Sequence, residues 1–381
     1  MDGAVAAGFE GVREEFARVV AAERDDYAGQ LVAYVRGERV VDLWTGPGFT
    51  ADTLTGVFSC TKGAAHLVVA LLVQDGVLDL EQRVSHYWPE FAAEGKQSVT
   101  LRDLLSHRAG VVGADAGFSL EELADDRLIA ARLAGQRPYW RPGVAFGYHA
   151  WVIGALTGEV VRRTTGRSIQ ELYEERVRAP YGLDFHLGLP DELEPRFATT
   201  LPMLPTPEQQ AEIDADAHEP ESLRGIAFNE HRADAPELWD FPNQRIARAH
   251  GQASAGGVAS ARGLAGLYAA ATMGLKSRPP LLDAATMARF AQIQSIGHDV
   301  VSGVHKAFGL GFSAVAEYYP FLGEGAFGHS GAAGSQALAD PRSGLAYGYN
   351  RRRYAFPGGA APENDGLLRA CVEAARATRS A

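Results

Sequence analysis

The chain is poor in the residues that would mark several kinds of protein. It has two cysteines in 381 residues, Cys60 and Cys371, too few for a disulfide framework. No uninterrupted apolar run of about 18 residues occurs, so nothing in it reads as a membrane-spanning helix. Basic charge is also in deficit: 36 Lys and Arg stand against 47 Asp and Glu, a formal net charge of −11. That balance argues against nucleic acid or an anionic membrane as the main partner. There is no HExxH and no close Cys/His cluster, so neither a metal nor a cofactor is expected. The start, Met1-Asp2-Gly3-Ala4, lacks a basic region followed by an apolar core, and a cytoplasmic location is expected.

Lysine is scarcer still. Only Lys62, Lys96, Lys276 and Lys306 occur among the 36 basic residues, so lysine is not this chain's ordinary surface cation. One of the four stands in Val57-Phe58-Ser59-Cys60-Thr61-Lys62-Gly63, which opens the apolar run Leu67 to Val73. A segment greasy nearly all round is a buried helix. Residues three apart share a helix face, which puts Ser59 beside Lys62. A desolvated lysine loses its proton readily and becomes a base for a neighbouring hydroxyl. Cys60 points a third of a turn away and reads as a small core residue.

With 46% hydrophobic and 22% charged residues the chain is an ordinary globular one, long enough for one large domain or two. Phe9, Val12, Phe16, Val19 and Val20 predict a helix over 8–23. Runs 30–37 and 39–44 read as a hairpin joined at Gly37. From about 91 to 249 the text is mostly helical, its best helix running from Trp151 to Thr165 and stopping at Gly166. Within it, 190–245 is proline-rich and irregular. Its acidic stretch (Glu208, Glu212, Asp214, Asp216, Glu219, Glu221) reads as solvated surface and a mobile loop over a site. Short strands return at 308–319, 326–331, 336–339 and 344–349, before a last helix near 363–378. Residues 1–90 and 250–381 thus read as a discontinuous α/β sheet domain around a helical region at 91–249, an α+β fold with an antiparallel sheet flanked by helices.

Three further segments bear on Ser59: Tyr148-His149-Ala150, Gly256-Gly257 and His329-Ser330-Gly331. Together with Ser59-Cys-Thr-Lys62 and Leu104-Leu-Ser-His-Arg-Ala-Gly110, they resemble the penicillin-recognising serine hydrolases: class C β-lactamases, D-Ala-D-Ala carboxypeptidases and family VIII carboxylesterases. Ser59 and Lys62 match S-x-x-K, Tyr148 the tyrosine of Y-x-N, and His329-Ser330-Gly331 their K-T-G or H-x-G. The match runs in register from about 30 to 350. Two departures matter. Ala150 stands where β-lactamases and peptidases have an amide, and His329 where many have lysine, so the resemblance favours the esterase branch.

The resemblance implies a β-lactamase/transpeptidase-like fold and an acyl-enzyme on Ser59. Lys62 and Tyr148 would be its proton carriers, and the Ser59 and Ala332 N–H groups, the latter on the strand after Gly331, its oxyanion hole. His329, Ser330 and Gly331 would line the carbonyl side. The expected activity is hydrolysis of small esters. Acyl transfer in secondary metabolism, β-lactam or D-amino-acid peptide cleavage, and a silent binding protein are the alternatives. His107 reads as a structural histidine bonding backbone. Gly328-His-Ser330-Gly-Ala332 nearly spells a nucleophile elbow, but small residues and an Asp-Pro turn follow it and no later histidine exists. Oligomeric state is not legible.

Overall fold

The computed structural model of the protein describes residues 1–380. Twelve strands run in chain order: β1 (Asp2–Val5), β2 (Gly29–Val35), β3 (Glu38–Thr45), β4 (Thr55–Gly56), β5 (Phe185–His186), β6 (Val258–Ala259), β7 (Ser295–His298), β8 (His305–Phe308), β9 (Ser313–Ala314), β10 (Phe327–Ser330), β11 (Gln336–Asp340) and β12 (Leu345–Arg351). Nine make one antiparallel sheet in the order β1-β3-β2-β12-β11-β10-β9-β8-β7, and β4-β6-β5 make a small second one.

Successive strand residues point to opposite faces, and here both faces are covered. Leu31, Ala33 and Val35 of β2, with Leu345, Tyr347 and Tyr349 of β12, enter one core with Phe16 and Leu368. These last two come from the terminal helices Glu10–Ala22 and Asn364–Ser380. Val32 and Tyr34 of β2, with Ala346 of β12, enter the other core, shared with the helices Thr61–Gln74 and Ala261–Thr272. The second of these helices comes so close to β12 that a Cβ at Gly348 would lie 2.5 Å from Ala265 N. A β-lactamase/transpeptidase-like arrangement results, with the sheet between helices.

The N-terminal helix, the hairpin and the Ile153–Thr165 helix stand where the sequence predicts them. Arg36 and Gly37 at the hairpin turn both have positive φ, 53° and 85°, as a turn twisted with its strands requires. Gly166 closes the third element in the left-handed region, φ 75°.

Elsewhere the reading needs correction. The expected strand through Gly309–Phe312 is a turn, closed by Gly309 N–H donating to Phe312 O at 2.8 Å. Its two glycines carry the reversal, Gly311 at φ 77°. β1 and β7 fall outside the expected strands. The acidic stretch is partly helical: Pro207 opens a helix to Ala215 behind the cap Thr206. Asp216 ends it beside the site.

Candidate active site

β4 delivers the chain into a single tight turn, Phe58–Cys60, which runs straight into the buried Thr61–Gln74 helix. Phe58 takes φ 46°, a left-handed value that a bulky residue holds only when its surroundings impose it. The surroundings are visible. Thr61 Oγ1 donates to Phe58 O and accepts Gly257 N–H at 2.9 Å, while Val57 N–H donates to Gly257 O at 3.0 Å. Space explains the paired glycines: a Cβ at Gly257 would lie 2.6 Å from Thr61 Oγ1, and one at Gly256 2.3 Å from Gln252 N.

Lys62 is 0% exposed. Its Nζ lies 2.6 Å from Ala150 O, 3.0 Å from Ser254 O and 3.0 Å from Ser59 Oγ, and it makes no ion pair among the described residues. Burial drives its pKa well below the ordinary lysine value. A neutral amine has two N–H groups and one lone pair. In that form, which burial favours, the two carbonyls would take the two hydrogens and the lone pair would face the Ser59 hydroxyl. Tyr148 Oη donates to the same Ser59 oxygen at 2.8 Å. Burial raises the phenol above its usual range, so it keeps its proton. Its ring stacks on Phe308 with centroids 5.9 Å apart and planes 3° from parallel.

His329 and Ser330 close β10 and face a cavity of about 590 Å³ that also takes in Ser59, Tyr148, Phe228 and Ala332. Ala332 belongs to the β10–β11 turn and not to a strand, a correction to the expected placement: Gly331 N–H bonds Ser335 O at 2.9 Å and ends the ladder there. A Cβ at Gly331 would meet Val57 O at 2.4 Å, so the glycine lets β10 pass against the Ser59 segment. The N–H groups of Ser59 and Ala332 donate to nothing among the described residues. Cys60 turns its Sγ to His329 O at 3.2 Å, and burial pushes its thiol up to about 12. His107 Nδ1 accepts the His149 N–H at 3.1 Å, a backbone contact as expected. Ser330 is followed by a turn and β11, not by a helix.

Two residues that the motifs do not reveal hold the Lys62 acceptors. Gln252, wholly buried, accepts Ser254 N–H at 3.0 Å and Ala255 N–H at 2.8 Å, and donates to Trp151 O at 2.5 Å. It thereby ties the two segments that carry the Ser254 and Ala150 carbonyls. Asp126 accepts Ala253 N–H at 2.9 Å from the far side. Their only sequence signal is proximity to Gly256-Gly257 and to the Trp151 helix.

A serine and a buried lysine at the head of a core helix, between an antiparallel sheet and a helical region, define the serine hydrolases of the β-lactamase type. The chain belongs to that family: a family model described as Beta-lactamase matches residues 16–367. Among solved structures it is similar to EstA from Arthrobacter nitroguajacolicus Rue61a, 43% identical with a TM-score of 0.91 over 99% of both chains. A family VIII carboxylesterase is 33% identical with a TM-score of 0.86, covering 98% of this chain and 99% of that one. The esterase/beta-lactamase LipL of Mycobacterium tuberculosis is 29% identical over 360 residues, 86% of this chain and 78% of that protein.

Proposed function

We propose that the protein is a serine carboxylesterase acting on small esters through an acyl-Ser59 intermediate. The observation that carries this reading is the convergence of buried Lys62 Nζ and Tyr148 Oη on Ser59 Oγ, at 3.0 and 2.8 Å. With its proton given up, as burial favours, Lys62 keeps two N–H groups for the Ala150 and Ser254 carbonyls and turns its lone pair to Ser59. Ser59 Oγ attacks the ester carbonyl as its proton passes to Lys62. Tyr148 then gives its proton to the departing alkoxide and is recharged from Lys62, so the proton lost by serine leaves with the alcohol. The free N–H groups of Ser59 and Ala332 are the donors for the oxyanion, with His329, Ser330 and Gly331 shaping that side. Water releases the acid by the same route in reverse. No metal or cofactor enters any step.

Family membership and the esterase names among its relatives support the choice of ester. Ala150 supports it too, because a methyl group cannot bond a peptide-like carbonyl. The width of the cavity, which reaches the 216–238 segment, favours a second use of the same intermediate, transfer of the acyl group to an added alcohol. No helix among the described residues is long and apolar enough to cross a membrane, and both cysteines are buried and free, which suits a cytoplasmic location.

Wild type is expected to hydrolyse p-nitrophenyl butyrate and to be labelled at Ser59 by a fluorophosphonate. Ser59→Ala should lose more than about 10⁴-fold in kcat while keeping its circular dichroism spectrum. A folded Ser59→Ala protein with undiminished turnover would sink the assignment.

A further inference from the structure

The cavity wall made by β8, β9 and the turns beside them is polar in a way the proposed acyl-transfer chemistry leaves unused. Of the four lysines, three have their ammonium or amine bonded to protein oxygen. Lys62 is described above, Lys96 donates to Ala93 O and Gln136 O, and Lys276 donates to Gly182 O. Lys306 alone donates to no oxygen among the described residues. Its Nζ instead stands 5.9 Å from the centre of the Tyr318 ring, and Tyr318 is held to β8 by accepting Ala307 N–H at 3.0 Å.

Lys306 lies two residues from Phe308, on the same strand face, roughly 7 Å along from the ring that stacks on Tyr148. Two hydroxyls join it. Ser302, in the β7–β8 turn, has a buried Oγ with no hydrogen-bond partner. Ser313, half-buried, pairs in register with Phe308 across β8–β9, and its hydroxyl bonds no group among the described residues. Ser302, Lys306 and Ser313 all line the cavity that holds Ser59. The turn that carries Ser302 is anchored to the Tyr148 loop by Val300 N–H donating to Phe146 O at 3.1 Å.

Three of the other acids around this wall have partners of their own, whereas the buried Asp299 forms no ion pair and its Oδ2 bonds nothing among the described residues. Asp216 pairs with Arg224 at 2.6 Å, Glu230 with His218 at 2.6 Å, and Glu317 with His305 at 3.9 Å. Asp299 stands behind the turn, its Oδ1 accepting the Val301 and Ser302 N–H groups, and it is not within ion-pairing distance of Lys306. Burial lowers the pKa of Lys306, and the field of Asp299 offsets part of that. Lys306 is thus half-desolvated and bonded to no anion among the described residues: the nearest protein carboxylate, Asp299, lies beyond ion-pairing distance behind the turn, and the Ser302 and Ser313 hydroxyls beside Lys306 are unbonded. A carboxylate supplies what is missing: one charge, and enough lone pairs for all three donors.

Resting on the esterase reading, we propose that this wall binds a carboxylate on the substrate, so that the preferred esters are monoanions, with the charge several bonds from the scissile carbonyl. A neutral ester would leave the three donors unpaired in a site from which it has displaced water, and the site would discriminate against it.

The test compares matched anionic and neutral esters. Monomethyl adipate against dimethyl adipate places the carboxylate on the acyl side. 4-Acetoxybenzoate against its methyl ester places it on the alcohol side. Wild type should favour the anion by tenfold or more in kcat/KM in one pair, after the twofold statistical correction for the diester. Lys306→Gln should cut that anion-to-neutral ratio by about tenfold or more, mainly through KM; Lys306→Arg should retain it, and Lys306→Glu should bring it below one. A wild-type ratio near one in both pairs, or a ratio that Lys306→Gln leaves unchanged, overturns the carboxylate site while leaving the esterase intact. Absence of all ester turnover, with no fluorophosphonate on Ser59, overturns the esterase reading and this inference with it.

Discussion

Two lysines among the described residues are buried without a carboxylate partner, and only one of them faces a serine hydroxyl. Lys62 and Lys96 are each 0% exposed, and each Nζ bonds two backbone carbonyls. Up to that point the two corners are alike. They part at the third neighbour. For Lys62 it is the Ser59 hydroxyl at 3.0 Å; for Lys96 it is the Phe91 ring, 5.4 Å from the nitrogen to its centre. Surroundings differ as well. Burial lowers the pKa of Lys62 far, with little to oppose it, whereas the smaller lowering at Lys96 is offset by Glu94 beside a surface cleft. Carbonyl pairs are therefore the way this fold holds a buried lysine, and under the proposed mechanism the hydroxyl together with dryness is what would make one of them a base.

The sharpest way to break that distinction is to treat both lysines alike. Lys62→Met is expected to lower kcat for p-nitrophenyl butyrate by about 10³- to 10⁴-fold, the upper part of the range for a lost general base. Lys96→Met leaves Ala93 O and Gln136 O without a donor, which costs about 1–3 kcal/mol of stability. Turnover per folded molecule should be unchanged. Normalised kcat and urea denaturation of both variants check this, and a comparable loss of kcat in Lys96→Met would abolish the contrast.

Tyr148→Phe comes next in size. It keeps the ring on Phe308 and leaves the Ser59–Lys62 contact in place, removing only the hydroxyl 2.8 Å from Ser59 Oγ. A fall of about 10²-fold in kcat with little change in KM is expected if the phenol carries the proton to the leaving alkoxide. Esters of more acidic alcohols need that proton less and should lose less. An equal loss across a series of leaving groups would make Tyr148 a packing residue, and Lys62 would then stand alone as proton carrier.

Ser59, Lys62 and Tyr148 were legible in the sequence for different reasons. Ser59 and Lys62 are three apart, so one helical turn joins them whatever the rest of the chain does. Tyr148 was placed by resemblance, since no local spacing links residue 148 to residue 59. The acceptors that orient Lys62 left no such trace, because Ala150 O and Ser254 O are backbone atoms that any residue type would supply. Gln252, which ties their two segments together, matches no motif. The same limit explains the sheet. The hairpin and the long helices carry clear periodicity, whereas β1 and β7 are four residues each and exist through pairing with β3 and β8. In Gly309–Phe312 the glycine pair that breaks the strand was present in the sequence but outweighed by the aromatics around it.

The smallest expected effect is also the one that most sharpens the contrast between the two corners. Four histidines surround the Lys62 site, and burial holds every one below its ordinary range: His66 and His149 to about 4, His329 to about 3, and His107 well below its usual value. Burial is the cause, and the bonding shows what a second proton would meet. His66, His149 and His329 each donate Nδ1–H to a backbone carbonyl, of Gly311, Gly147 and Ser330. His66 and His149 then keep a buried Nε2 with no partner, and protonating it would bury a donor without an acceptor. The imidazole resonances of these four are expected to hold constant from pH 8 down to pH 5. An inflection near 6.5 in any of them would put a positive charge beside Lys62 and an ordinary histidine base within reach of the site. The sign of the linked stability follows. Unfolded histidines take up protons below about 6.5 while the folded ones refuse them, so stability is full above that pH and falls as pH drops toward 4. Each histidine contributes about 1.4 kcal/mol per pH unit to that fall. The burial that lowers the pKa of Lys62 is thus the same burial that should cost the protein stability in acid, because exclusion of charge underlies both.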